Sequence, residues 1–192
     1  MTELIEIRNN NNNFDIVMKI VKNKGYLLKY ASEQLQDNYE IVKEAVKNDG
    51  LALHYASENL KNNYNIVMEA IKNNEWSYDY ISNNLKYDKN IIYEVIKNNG
   101  FLLKYMPDIY KNDYDIIMTA VKNNGIALKF INYEFQNNYN IVLLAVSSNG
   151  LSLEYASDEL KNNKDIVLEA IKNNKLSLKY ASKILQNYFI SY

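Results

Sequence analysis

Residues 150–174 read GLSLEYASDELKNNKDIVLEAIKNN, and this stretch decides the fold. From Asp165 to Lys172 an apolar stripe runs through Ile166, Val167, Ala170 and Ile171. That i, i+1, i+4, i+5 spacing is the stripe of an amphipathic helix, not the alternation of a strand. Asn162 and Asn163 precede it, and such side chains cap the free N–H groups of a first helical turn. Lys172 stands in the last turn, where the helix dipole favours a cation. From Leu151 to Leu160 a second, shorter helix is expected, with Leu153, Ala156 and Leu160 on one face.

The same 25-residue pattern runs through the chain in constant phase. Ile16, Ile41, Ile66, Ile91, Ile116, Ile141 and Ile166 mark it, as do Tyr30, Tyr55, Tyr80, Tyr105, Phe130, Tyr155 and Tyr180. Glycine falls at Gly25, Gly50, Gly100, Gly125 and Gly150, with Glu75 and Lys175 in the two remaining copies. After a helix, such a glycine reads as a left-handed stop. The residue that follows it (Tyr26, Leu51, Trp76, Phe101, Ile126, Leu151, Leu176) reads as the outer half of an apolar clamp on the helix end. The expected architecture is all-α: an α-solenoid of seven 25-residue helix-pair repeats. It forms one domain over residues 1–192, with an N-terminal cap and asparagine loop over 1–13. The repeats occupy 14–186, and a truncated eighth copy occupies 187–192. The apolar end of the last repeat makes self-association through the C-terminal end an expectation.

Composition narrows the function classes. Twenty-two Lys and Arg against 23 Asp and Glu leave a net charge of −1, without the basic surplus that phosphate binding uses. This argues against nucleic acid and against an anionic membrane. No cysteine is present, and the single histidine, His54, builds no metal cluster by itself. The apolar runs are too short to span a bilayer, and the acidic start lacks a signal-peptide pattern. An intracellular, soluble protein without a cofactor is expected. The heavy use of asparagine reads as the mark of AT-rich coding sequence rather than of chemistry.

The pattern DIVLEAIKNN at 165–174, with GLALHYASENLK at 50–61, resembles the repeat family catalogued as domain of unknown function 4116. The resemblance covers nearly the whole chain. It implies tandem α-helical repeats of the kind found in protists, their large DNA viruses and amoeba-dwelling bacteria. It implies no activity, cofactor or catalytic residue. Met106-Pro107 departs from it, in place of the usual Ala-Ser.

No residues converge as a nucleophile with its base, as a singled-out carboxylate pair, or as a phosphate-cradling glycine loop. No enzyme is expected. The lysines that end the long helices (Lys22, Lys47, Lys72, Lys97, Lys122 and Lys172) and the tyrosine ladder have structural reasons, in helix dipoles and packing. The pattern-breaking residues carry more information. Trp76 and Tyr78 add aromatics to one repeat. Met106 replaces a small alanine, and Pro107 follows it where it should break or restart the short helix. Leu144 puts an apolar residue on a stripe that is otherwise mostly charged. These five are the candidate partner-binding residues. The expected function is a non-enzymatic scaffold for protein–protein interaction, with a structural role in a larger assembly, such as a large DNA virus particle, as the alternative.

Overall fold

The computed structural model describes residues 2–190. It is all helical, with no strand among the described residues, and it is built from repeated units. Long α-helices run over Tyr39–Asn48, Tyr64–Asn73, Lys89–Asn98, Tyr114–Asn123, Tyr139–Ser148 and Lys164–Asn173, each starting 25 residues after the last. The shorter Phe14–Val21 leads the series, and Thr2–Asn9 precedes it. The chain divides into two compact units, residues 1–95 and residues 96–192.

The core of each unit follows the apolar stripe. In the first unit Ile41, Val42, Ala45 and Val46, then Ile66, Val67, Ala70 and Ile71, are wholly buried. In the second the same holds for Ile116, Ile117, Ala120 and Val121, and for Ile141, Val142, Ala145 and Val146. Each helix starts on a side-chain cap. The Asn38 and Asn63 carboxamides accept from the Ile41 and Ile66 amides at 3.1 and 3.2 Å. Asn138 and Asn163 do the same for Ile141 and Ile166.

The second half of the repeat departs from the expected single short helix. It is a 3-10 helix followed by one turn of α-helix, as at Gly50–Tyr55 and Glu58–Lys61, or Gly150–Tyr155 and Asp158–Lys161. Between them Ala56 and Ser57 are extended. Ser57 then caps the turn, its hydroxyl accepting from the Leu60 amide at 3.2 Å. The break is therefore written by serine in its N-cap role. Pro107 sits at this phase, so it interrupts no helix. It lacks the capping hydroxyl, and the turn that follows it, Asp108–Asn112, is 3-10 instead of α.

The glycines do not end helices in the left-handed region, because none of the described glycines has a positive φ. The stop lies one residue earlier. Asp49, Asn124 and Asn149 are extended, and their side chains accept from the amide two residues on, at 3.1, 3.0 and 3.1 Å. Glycine is needed for close approach. A Cβ on Gly100 would overlap the Ala120 carbonyl oxygen and lie 3.0 and 3.1 Å from the Ala120 carbonyl carbon and Cα. Gly25 and Gly50 stand in the same relation to the Ala45 and Ala70 carbonyls, and Gly125 and Gly150 to those of Ala145 and Ala170. Where Glu75 replaces the glycine, Val95 replaces the alanine twenty positions on.

Asparagine also joins neighbouring repeats. Asn73 Oδ1 accepts from the Gly50 amide at 2.6 Å, and its Nδ2 donates to the Lys47 carbonyl at 2.9 Å. Asn123 does the same for Gly100 and Lys97, at 2.8 and 3.0 Å. Asn173 serves Gly150 and Ser147, at 2.7 and 2.9 Å. A second tie runs from the capping serines: Ser82 donates to Asn62, and Ser182 to Asn162, both at 2.6 Å. The Ser82 and Ser182 amides add backbone bonds to the Lys61 and Lys161 carbonyls. Asn73→Ala is expected to lower stability by about 2 kcal/mol, two hydrogen bonds at about 1 kcal/mol each. Asn73→Asp should cost no less, because it sets a carboxylate against the Lys47 carbonyl. Urea unfolding of the three proteins reads both effects.

At the C-terminal end Lys183–Ile190 is one continuous helix. Residues 191–192 of the expected truncated copy lie outside the described residues.

Candidate functional site

The 3-10 helices split their apolar residues between two directions. The fourth residue points into the core in five of them: Leu28, Leu53, Leu103, Leu128 and Leu153 are wholly buried. The residue directly after the glycine faces out. In the first unit Tyr26, Leu51 and Trp76 are 48%, 37% and 45% exposed. In the second, Phe101, Ile126 and Leu151 are half-buried and Leu176 is exposed. The expected clamp on the preceding helix end therefore leaves much of these side chains in water. Each unit carries one large apolar side chain per repeat along its 3-10 face.

The tyrosine ladder borders this row. The Phe101 and Phe130 rings meet edge to face at 5.4 Å, which places the ladder of one repeat beside the outward residue of the repeat before it. Cations lie over the ladder's rings. Arg8 and Lys29 sit 4.6 and 4.9 Å from the Tyr30 centroid, and both hold the Tyr30 hydroxyl below its usual pKa, Lys29 the more strongly. Lys104, Lys129 and Lys179 cover Tyr105, Tyr155 and Tyr180 at 5.1, 5.4 and 4.6 Å. Burial, and then the Glu154 charge, push the Tyr155 hydroxyl up. His54 lies between Tyr55 and Tyr80, with centroids 4.9 and 4.6 Å away. A nucleic-acid base stacking on these rings would have to displace the protein's own cations.

The long helices present a different surface. Tyr39, Lys43, Tyr64, Met68, Glu69 and Lys72 line an open cleft of about 500 Å³ in the first unit. Its charges are of both signs and its walls are long, rotatable side chains. Among the described residues no three His, Cys, Asp or Glu side chains form a group able to hold a metal. No helix there is long and apolar enough to cross a membrane.

Of the five candidate residues, Trp76 and Tyr78 lie in the first unit and Met106, Pro107 and Leu144 in the second. Trp76 is exposed on a 3-10 helix of the first unit. Tyr78 is buried two residues later, its hydroxyl donating to the Lys86 carbonyl at 3.0 Å. Met106 is buried in the second unit, in the slot held by Ala31, Ala56, Ala156 and Ala181 in four copies and by Ile81 and Ile131 in two. Pro107 is half-buried at the break in its repeat, and Leu144 is half-buried on a long helix. The burial of Tyr78 and Met106 makes them core residues, because a partner on this surface reaches neither side chain. Tyr26 and Leu51 are exposed as well. Their regular phase suggested packing, and the sequence alone does not say how much of each side chain the neighbouring elements cover.

None of the curated proteins matches this sequence, and none of the solved structures does. The family model for "Domain of unknown function (DUF4116)" matches three consecutive stretches, residues 38–86, 88–136 and 138–186. Each match starts at the last residues before one long helix and takes in the two repeats that follow. These stretches cover most of the chain, which belongs to the DUF4116 family.

Proposed function

We propose that this chain is a non-enzymatic α-solenoid of seven 25-residue helical repeats that serves as a scaffold for protein–protein interaction. The reading rests on one observation: Tyr26, Leu51 and Trp76 stay exposed in phase on consecutive 3-10 helices of the first unit. Single exposed apolar residues are ordinary on protein surfaces, but a row of them, one per repeat, gives a partner a line of anchors. A tryptophan or tyrosine in such a row supplies much of the binding energy when a partner covers it. The cation-covered tyrosine ladder beside the row forms its polar border.

The test is a paired capture. Wild-type protein and the double variant Leu51→Glu/Trp76→Glu are used as baits in extract of the native cell. The double variant should keep its thermal unfolding, since substitutions at exposed sites change stability by only about 0.5 kcal/mol each. One protein should be retained stoichiometrically by the wild type and lost by the variant. Equal retention by both baits would refute this surface as the docking site.

A further inference from the structure

Asn-Gly dipeptides recur at Asn99–Gly100, Asn124–Gly125 and Asn149–Gly150. Glycine has no side chain to shield its backbone nitrogen, so that nitrogen can reach the Cγ of the asparagine before it. The three asparagines share one backbone conformation, with φ of −147°, −146° and −149° and ψ of 95°, 105° and 107°. Each of their side chains accepts from the amide two residues on, at 3.2, 3.0 and 3.1 Å. The glycine nitrogens are not held alike. Gly100 N–H is bound by Asn123 and Gly150 N–H by Asn173, and both asparagines are anchored in turn to backbone carbonyls. At the corresponding phase for Gly125 stands Ser148, and no described residue accepts from Gly125 N–H.

We propose that Asn124 is a site of spontaneous deamidation, selected by the missing asparagine at position 148. The Gly125 nitrogen attacks Asn124 Cγ, a new N–Cγ bond forms and the Cγ–Nδ2 bond breaks. The proton lost from the Gly125 nitrogen leaves with the departing ammonia, and a succinimide ring remains. Water opens the ring at either carbonyl, giving aspartate or isoaspartate. At Gly100 and Gly150 the nitrogen must first give up its hydrogen bond to the neighbouring repeat. The fold accommodates the aspartate product, because Asp49 occupies the same phase and accepts from the Leu51 amide at 3.1 Å. Isoaspartate instead lengthens the backbone by one carbon at the junction between the helix Tyr114–Asn123 and the 3-10 helix Gly125–Phe130.

Native protein is incubated at mildly alkaline pH, and peptide mapping follows aspartate and isoaspartate at the three sites. Position 124 is expected to convert about fivefold faster than positions 99 and 149, the factor that one hydrogen bond's net stability represents. Ser148→Asn should bring it down to the rate of the other two, and Asn173→Ser should raise position 149 to the rate of 124. In concentrated urea the three rates should converge. Equal rates in the native protein, a Ser148→Asn variant unchanged at 124, or a lead for 124 that survives in urea would each overturn the proposal.

Discussion

Gly100→Ala is expected to destabilise the second unit by about 3 kcal/mol, the upper end of the cost of overpacking a close contact. The sign of this effect is as informative as its size. Gly100 has a negative φ, so alanine suits its backbone conformation. On that ground alone, the substitution would stabilise by about 0.4–1 kcal/mol through the unfolded chain. The contact reverses the sign. The added methyl meets the carbonyl oxygen, carbonyl carbon and Cα of Ala120, all backbone atoms of a buried helix. No rotamer change relieves that overlap, so the helix Tyr114–Asn123 has to shift away from Gly100. The shift also pulls Asn123 Oδ1 from the Gly100 amide. Urea unfolding followed by far-UV circular dichroism measures the change, and a stabilised Gly100→Ala protein would show that the close approach is not the reason for glycine.

Leu53→Ala is expected to cost about 3–4 kcal/mol, the usual loss for truncating a fully buried leucine. Leu51→Ala, two residues earlier, should change stability by no more than about 0.5 kcal/mol, as exposed positions do. Both leucines lie on the 3-10 helix Gly50–Tyr55, but Leu53 is wholly buried and Leu51 is more than a third exposed. Trp76 is the only tryptophan of the chain and belongs to the same unit, so its fluorescence reports unfolding there. Circular dichroism follows both units. Tandem repeats need not unfold in one step, and an early fluorescence transition in Leu53→Ala would localise the damage to the first unit. Equal losses in the two variants would mean that the outward row is packed, and the docking surface would lose its basis.

These pairs of neighbouring positions mark what the sequence alone made legible. The long helices were legible because four apolar phases, as in Ile66, Val67, Ala70 and Ile71, match a helical stripe, and Asn63 announces the start. The role of glycine was not. A glycine after a helix fits a left-handed stop and a close approach equally well, and the atom that decides belongs to a residue twenty positions away. A signal did exist in the alternation of Gly with Ala at that spacing, broken at both ends together by Glu75 and Val95. The split second helix was also written, in Ser57 followed by Glu58, but Leu53, Ala56 and Leu60 fit a continuous helical face and masked it. The candidate site was the least legible part. Departure from a pattern identifies an altered residue without saying which way it faces, so Trp76 in solvent and Tyr78 and Met106 in the core looked alike.

The ties made by asparagine and serine between neighbouring repeats have a further consequence. Asn73 reaches Gly50 across 23 residues and Lys47 across 26, while Ser82 reaches Asn62 across 20. Every such bond closes a loop of nearly one repeat, so assembly requires no distant encounter, and low contact order favours rapid folding. The same arithmetic constrains how such a gene can change length. Duplicating or deleting a whole repeat keeps the 20- to 26-residue spacing at which these amides, hydroxyls and carbonyls meet their partners. Adding one codon inside a repeat turns the following residues about a third of the way round the helix and strands the asparagines. A change in length by whole repeats therefore disturbs these ties less than a single residue added inside a helix.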